Sequence, residues 1–208
     1  MAPSISGKVI DRIVNAGVAN WFRQAGFERK GRSFFRQHGD LVQTSNLQAS
    51  KINMPNVATF AVNLGVEWPY WHNVWTGRGL VANPALAPTF IQTRLHPNQG
   101  AGGDHWWPAH PDTDPDRIAA EVMGALQAYA ETFWTRYSNL EGILREFEAN
   151  ALVPTGAPRR LVHAALLVRA GRTSDAKDVI MEAARRFPRG LSGFQRVSER
   201  LGLGNDAA

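Results

Sequence analysis

Apolar positions in the first 25 residues recur at three- and four-residue steps: Ile10, Ile13, Val14, Val18, Trp21 and Phe22. That spacing places them on one face of an α-helix, so residues 5–25 are predicted to form a single amphipathic helix. Gly26 follows as a residue free to take positive φ at the helix end. The period then changes to two. Residues 33–38 and 41–50 read as strands joined by a tight turn at Gly39-Asp40. Asn53-Met54-Pro55-Asn56 reads as another turn. Residues 57–68 alternate most cleanly, with Phe60, Val62, Leu64, Val66 and Trp68 on one face and Thr59, Ala61, Asn63, Gly65 and Glu67 on the other. Residues 88–96 read as a fourth strand. The short connections between the first three favour an antiparallel meander. Pro69-Tyr70-Trp71-His72-Asn73-Val74-Trp75 reads as an aromatic loop, and residues 100–115 as a second long loop holding Trp106-Trp107.

The helical period returns afterwards. Asp114 is placed to cap a long helix, and Pro115 suits its first position, where no amide bond is lost. Ile118, Val122, Leu126, Tyr129, Phe133 and Tyr137 form its expected buried stripe. Ser138-Asn139-Leu140-Glu141 has capping-box spacing and opens a fresh helix with Leu140, Ile143, Leu144 and Phe147 inward. Pro154-Thr155-Gly156-Ala157-Pro158 reads as a linker. Two helices over 159–170 and 174–187, with a turn at Gly171, form a hairpin, and a last helix follows Ser192. The fold class is α+β: an antiparallel sheet of four or more strands, packed by the N-terminal and long central helices, with a C-terminal helical hairpin. The expected division is an α+β domain over 1–150 and a helical appendage over 151–208, which is too small to be stable alone.

Composition narrows the function classes. Apolar residues make up 44%, enough for a core. Cysteine is absent, which removes disulfides and thiolate chemistry. The start lacks a basic segment followed by an apolar run, and no apolar stretch is long enough to span a bilayer, so a cytoplasmic chain with no membrane partner is expected. Charge is uneven. Residues 1–60 hold eight Lys/Arg against three Asp/Glu, residues 61–135 three against seven, and residues 136–208 twelve against eight. The basic first segment suits an acidic partner or nucleic acid. No basic run exceeds two residues, however, so a dispersed solvated surface competes with that reading and nucleic acid is not the expected partner.

Several short motifs occur in a fixed order. They are Gly26-Phe27-Glu28-Arg29-Lys30-Gly31-Arg32-Ser33-Phe34-Phe35-Arg36, Asn46-Leu47-Gln48-Ala49-Ser50-Lys51, Val62-Asn63-Leu64-Gly65-Val66, Arg94-Leu95 and Asp104-His105-Trp106-Trp107. In this order the chain, over about residues 5–150, resembles the bacterial family called domain of unknown function 4304. The resemblance implies an α+β domain with an antiparallel sheet and no enzyme class. Separately, residues 164–188 look like one tetratricopeptide-type hairpin, a single unit rather than an array.

Candidate chemistry concentrates on the sheet. Asn46 and Gln48 share a strand face, Asn63 lies opposite the apolar set of its own strand, and Gln92, Arg94 and His96 alternate on the fourth. If these faces coincide, amides and one guanidinium converge, with Arg94 as a bidentate anchor for an anionic or peptide-like ligand. A solvated face, or a buried network that sets strand register, is the competing reading. Trp106 and Trp107 are neighbours, so in an extended chain only one faces the core, and the other can line a groove. Asp104, His105, His110, Asp112 and Asp114 share one loop, but no helix or hairpin frames them, so no metal is expected. Nor is a cofactor, because no phosphate-binding glycine motif or nucleophile elbow is present. The resulting expectation is a non-catalytic binding module for a protein or small anionic ligand, built on Asn46, Gln48, Asn63, Gln92, Arg94, His96, Trp106 and Trp107. Two alternatives stay open: an enzyme of unrecognised class using Arg94 with His96 or His105, and nucleic-acid binding through the basic N-terminal segment.

Overall fold

The computed structural model describes residues 5–51, 58–78, 90–98, 104–152 and 158–204. The turn expected at 53–56, the start of the fourth strand, the glycines at 100–103 and most of the linker at 154–158 lie outside these residues. The elements are α1 (Ile5–Ile13), a π-helical turn (Val14–Val18), α2 (Ala19–Gln24), β1 (Glu28–Lys30), β2 (Ser33–His38), β3 (Leu41–Ala49), β4 (Thr59–Glu67), α3 (Pro69–Thr76), β5 (Ile91–Arg94), β6 (Trp107–Pro108), α4 (Pro115–Arg136), α5 (Leu140–Glu148), α6 (Arg159–Arg169), α7 (Thr173–Arg186), a 3₁₀ turn (Pro188–Gly190) and α8 (Leu191–Arg200). The strands form one antiparallel sheet in the order β1-β2-β3-β4-β5, with β6 also paired to β4. The α+β class and the C-terminal helices are as expected. Among the described residues no helix is long and apolar enough to cross a membrane.

Two compact units emerge. The first comprises Met1–Gln37, Gln43–Gly65 and Gln92–Thr135. Its core joins Ile10, Ile13, Val14, Val18 and Phe22 to Phe34, Phe60, Val62, Leu64, Ile118, Val122 and Leu126. Phe22 stacks on Phe34 with centroids 4.1 Å apart, and Phe27 meets Trp134 at 4.7 Å. The first helix is not continuous: it widens to a π-turn and kinks at Gly17, where an added Cβ would come within 3.0 Å of the Met123 side chain. Close approach to α4 thus sets the kink, which apolar spacing alone does not reveal.

Arg36 ties this unit together. Its Nε donates to Gln43 Oε1 at 2.5 Å, Nη1 to the Ala25 carbonyl at 2.6 Å, and Nη2 to both Glu131 oxygens at 3.0 and 3.1 Å. The guanidinium also lies 4.5 Å from the Phe27 ring centroid. Most of its hydrogen-bonding capacity is met internally, as a structural role requires. Strand β4 departs from expectation, because both of its faces are covered: every residue from Phe60 to Glu67 is buried. On α4 Phe133 is buried as expected and Tyr129 is only half-buried, while Trp134, outside the expected stripe, is fully buried and its Nε1 donates to the Gly65 carbonyl at 3.2 Å. Asp114 caps α4 as expected, accepting from the Asp116 and Arg117 amides.

The second unit comprises His38–Val42, Val66–Ile91 and Arg136–Ala208. Its α3 replaces the aromatic loop expected at 69–75. Pro69 occupies the first helical position, and Gly77 ends the helix at φ 68°. A Cβ at Gly77 would run into the Arg200 guanidinium. Arg200 Nη1 donates to the Val74 and Trp75 carbonyls at 2.9 and 3.1 Å, satisfying the last turn of α3. Asn139, rather than Ser138, caps α5 by accepting from the Gly142 amide at 2.8 Å. Helices α6 and α7 form the expected hairpin, with Gly171 in the turn at φ 75°.

Candidate functional site

The residues singled out from the sequence fall into two groups of the first unit. On β3 and β4, Asn63 Nδ2 donates to Gln48 Oε1 at 3.0 Å. Asn63 is 7% exposed, and its Oδ1 is buried without a hydrogen-bond partner. Gln48 is exposed. Asn46 points elsewhere: its Nδ2 donates to Ser33 Oγ on β2 at 3.0 Å. Gln92 lies exposed on β5.

The second group gathers where β5 ends and the chain enters β6. Arg94 Nη1 pairs with Asp104 Oδ2, and the guanidinium lies 4.6 Å from the Trp106 ring centroid. The His96 and His105 rings meet edge to face at 5.1 Å, and His105 meets Trp107 at 4.3 Å. Alternation sorts the two tryptophans. Trp107 is fully buried and stacks on Phe60 with centroids 5.9 Å apart, while Trp106 is 36% exposed. The short β6 enforces this division, because Trp107 pairs with Phe60 on β4 and fixes which side chain turns inward.

Electrostatics at this corner favour a neutral His105. Its pKa is lowered first by burial and then by nearby His96, with Glu121 acting in the opposite sense. His96 Nδ1 accepts from the Asn98 amide at 3.0 Å. Arg94 and Asp104 are both partly exposed, at 27% and 57%, so water screens their attraction and the pair is weak.

The rest of the histidine loop is accounted for locally. His110 Nδ1 accepts from the Ala58 amide at 3.3 Å, and the His110 amide donates to Thr113 Oγ1 at 2.8 Å. Among the described residues no group of three or more metal-ligating side chains converges.

Residues 18–136 match the family model described as domain of unknown function (DUF4304). The chain belongs to that family. The DUF4304 stretch contains both groups just described, and the structural arginine Arg36 as well. No curated protein and no solved structure matches the chain.

One residue of chemical interest escaped the sequence reading. Glu67, in the second unit, is 2% exposed and its Oε2 has no hydrogen-bond partner. Burial raises its pKa from 4.5 to about 8, against a hydrogen bond from the Phe90 backbone that works the other way. Glu67 is therefore mostly protonated at neutral pH. Its place among Thr59, Ala61, Asn63 and Gly65 concealed it, since alternation alone does not reveal that this face of the strand is covered.

Proposed function

We propose that the DUF4304 unit is a non-catalytic binding module that holds a protein segment or small ligand through an anionic group at the Arg94–Trp106 corner. The observation that carries this reading is the stack of Arg94 on a half-exposed Trp106. A guanidinium lying on an indole is oriented before any ligand arrives, which reduces the ordering cost of binding. Its exposed partner Asp104 contributes roughly 0–1 kcal/mol, so a ligand carboxylate can displace it. Buried Trp107 anchors the segment from within, which keeps Trp106 at the surface.

The test is a titration of the full chain with citrate and with acidic tripeptides, read by the NMR indole resonance of Trp106 and the ring resonances of His96 and His105. Saturable shifts at these groups, lost in a folded Arg94→Ala protein, are expected. If no resonance at the corner moves, or if Arg94→Ala unfolds the chain, Arg94 is structural and the reading fails.

A further inference from the structure

A cleft of about 550 Å³ lies where the kinked first helix faces β1, lined by Asn15, Ala19, Asn20, Arg23, Phe27 and Arg29. Asn15 and Asn20 are five residues apart, and on a straight α-helix they would point about 140° away from each other. Asn15 lies within the π-turn and the Gly17 kink separates it from Asn20, and both side chains reach the same cleft.

Each asparagine orients an arginine. Arg23 Nη2 donates to Asn20 Oδ1 at 2.5 Å, and Arg29 Nη1 donates to Asn15 Oδ1 at 2.9 Å. Arg29 Nε is held by the Gly31 carbonyl at 2.7 Å. These acceptors are neutral, so they fix the guanidinium groups without cancelling their charge. Arg32, Arg36, Arg94 and Arg117, by contrast, all pair with carboxylates. The nearby acidic groups are otherwise placed. Glu28 alternates to the opposite side of the strand from Phe27 and Arg29. Glu131 is taken by Arg36, which stacks on Phe27. Two oriented cations with free donors therefore stand beside Ala19, their apolar stems lining a cleft with the buried Phe27 beneath.

We propose that this cleft binds a small phosphomonoester, with the phosphate between Arg23 and Arg29 and the organic part against Ala19 and the apolar stems of the two arginines. A phosphomonoester carries close to two negative charges at neutral pH and three strong acceptor oxygens, which matches two guanidinium forks. The site is independent of the Arg94 corner.

Calorimetry of the full chain with phenyl phosphate, inorganic phosphate and a single-stranded thymidine 12-mer tests the assignment. Phenyl phosphate should bind at one per chain and several-fold more tightly than inorganic phosphate. Arg23→Ala and Arg29→Ala should each weaken it about tenfold, the loss expected for a charge-assisted hydrogen bond. Both arginines are exposed, so the variants should keep the parental melting temperature, and Arg117→Ala, at an exposed arginine paired with Glu121, should leave phenyl phosphate binding unchanged. Unaltered binding in the Arg23 and Arg29 variants, loss of binding in Arg117→Ala, equal affinity for inorganic phosphate, or preference for the oligonucleotide would each overturn the proposal.

Discussion

The Arg94 guanidinium lies 4.6 Å from the centroid of the Trp106 ring, joining the end of β5 to the segment that leads into β6. The contact is held from behind by the pairing of Trp107 with Phe60. A buried aromatic thus fixes the position of an exposed one, and the exposed one orients the cation.

In the proposed anion site Asp104 competes with the ligand for Arg94. Replacing it by asparagine keeps the shape and removes one negative charge beside Arg94. At near-contact distance in water that charge is worth about 1 kcal/mol. Asp104→Asn should therefore bind citrate about fivefold more tightly than the parent in a calorimetric titration. Weaker binding would make Asp104 a ligand contact instead.

The neighbouring tryptophans should separate in stability. Trp107→Ala empties a fully buried site and should cost about 3–5 kcal/mol in urea denaturation. Trp106→Ala removes a partly exposed ring and a cation–π contact, and should cost about 1 kcal/mol or less. Equal losses would contradict the inward and outward assignment.

Glu67 should make stability depend on pH. Below pH 4.5 the carboxyl is protonated in both folded and unfolded chains. Between 4.5 and about 8 the unfolded chain releases a proton that the folded chain retains. Stability should therefore fall as pH rises through this window, by up to about 1.4 kcal/mol per pH unit and a few kcal/mol in all. Glu67→Gln should flatten that slope and be the more stable protein at pH 8. Parallel stability curves for parent and variant would show that Glu67 ionises normally in the folded chain.

The cap on α5 offers a smaller check. Asn139→Ala removes the acceptor of the Gly142 amide and should cost about 1 kcal/mol. A change confined to noise would mean that water replaces the asparagine oxygen without loss.

Much of the architecture was legible because period follows secondary structure. The two-residue alternation around Phe60 marked β4, and Asp114-Pro115 marked the start of α4. What stayed hidden had no periodic trace. Glu28–Lys30 is a strand of three charged residues, and only pairing with β2 makes it one. Trp107–Pro108 is a two-residue strand inside what reads as a loop. In α3 the helix signals, Pro69 at the start and Gly77 at the end, were outweighed by a run of aromatic residues. The covered second face of β4 depends on tertiary packing, and this is why Glu67 went unnoticed. Of the residues singled out, Arg94 meets Trp106, and His96 meets His105, which packs on Trp107. Asn46 was drawn instead towards Ser33 on β2, a pairing that strand alternation alone does not specify. The Arg23–Arg29 cleft needs a helix kink to assemble, and nothing local announces it.

The proposed binding role requires Arg94 to act as an oriented anion anchor at the surface. Its most direct test is the citrate dissociation constant of the parent and of Arg94→Ala, measured by calorimetry on proteins with matching melting temperatures. The account predicts at least about a tenfold weaker constant in the variant, as for loss of a charge-assisted contact. An unchanged constant would contradict it.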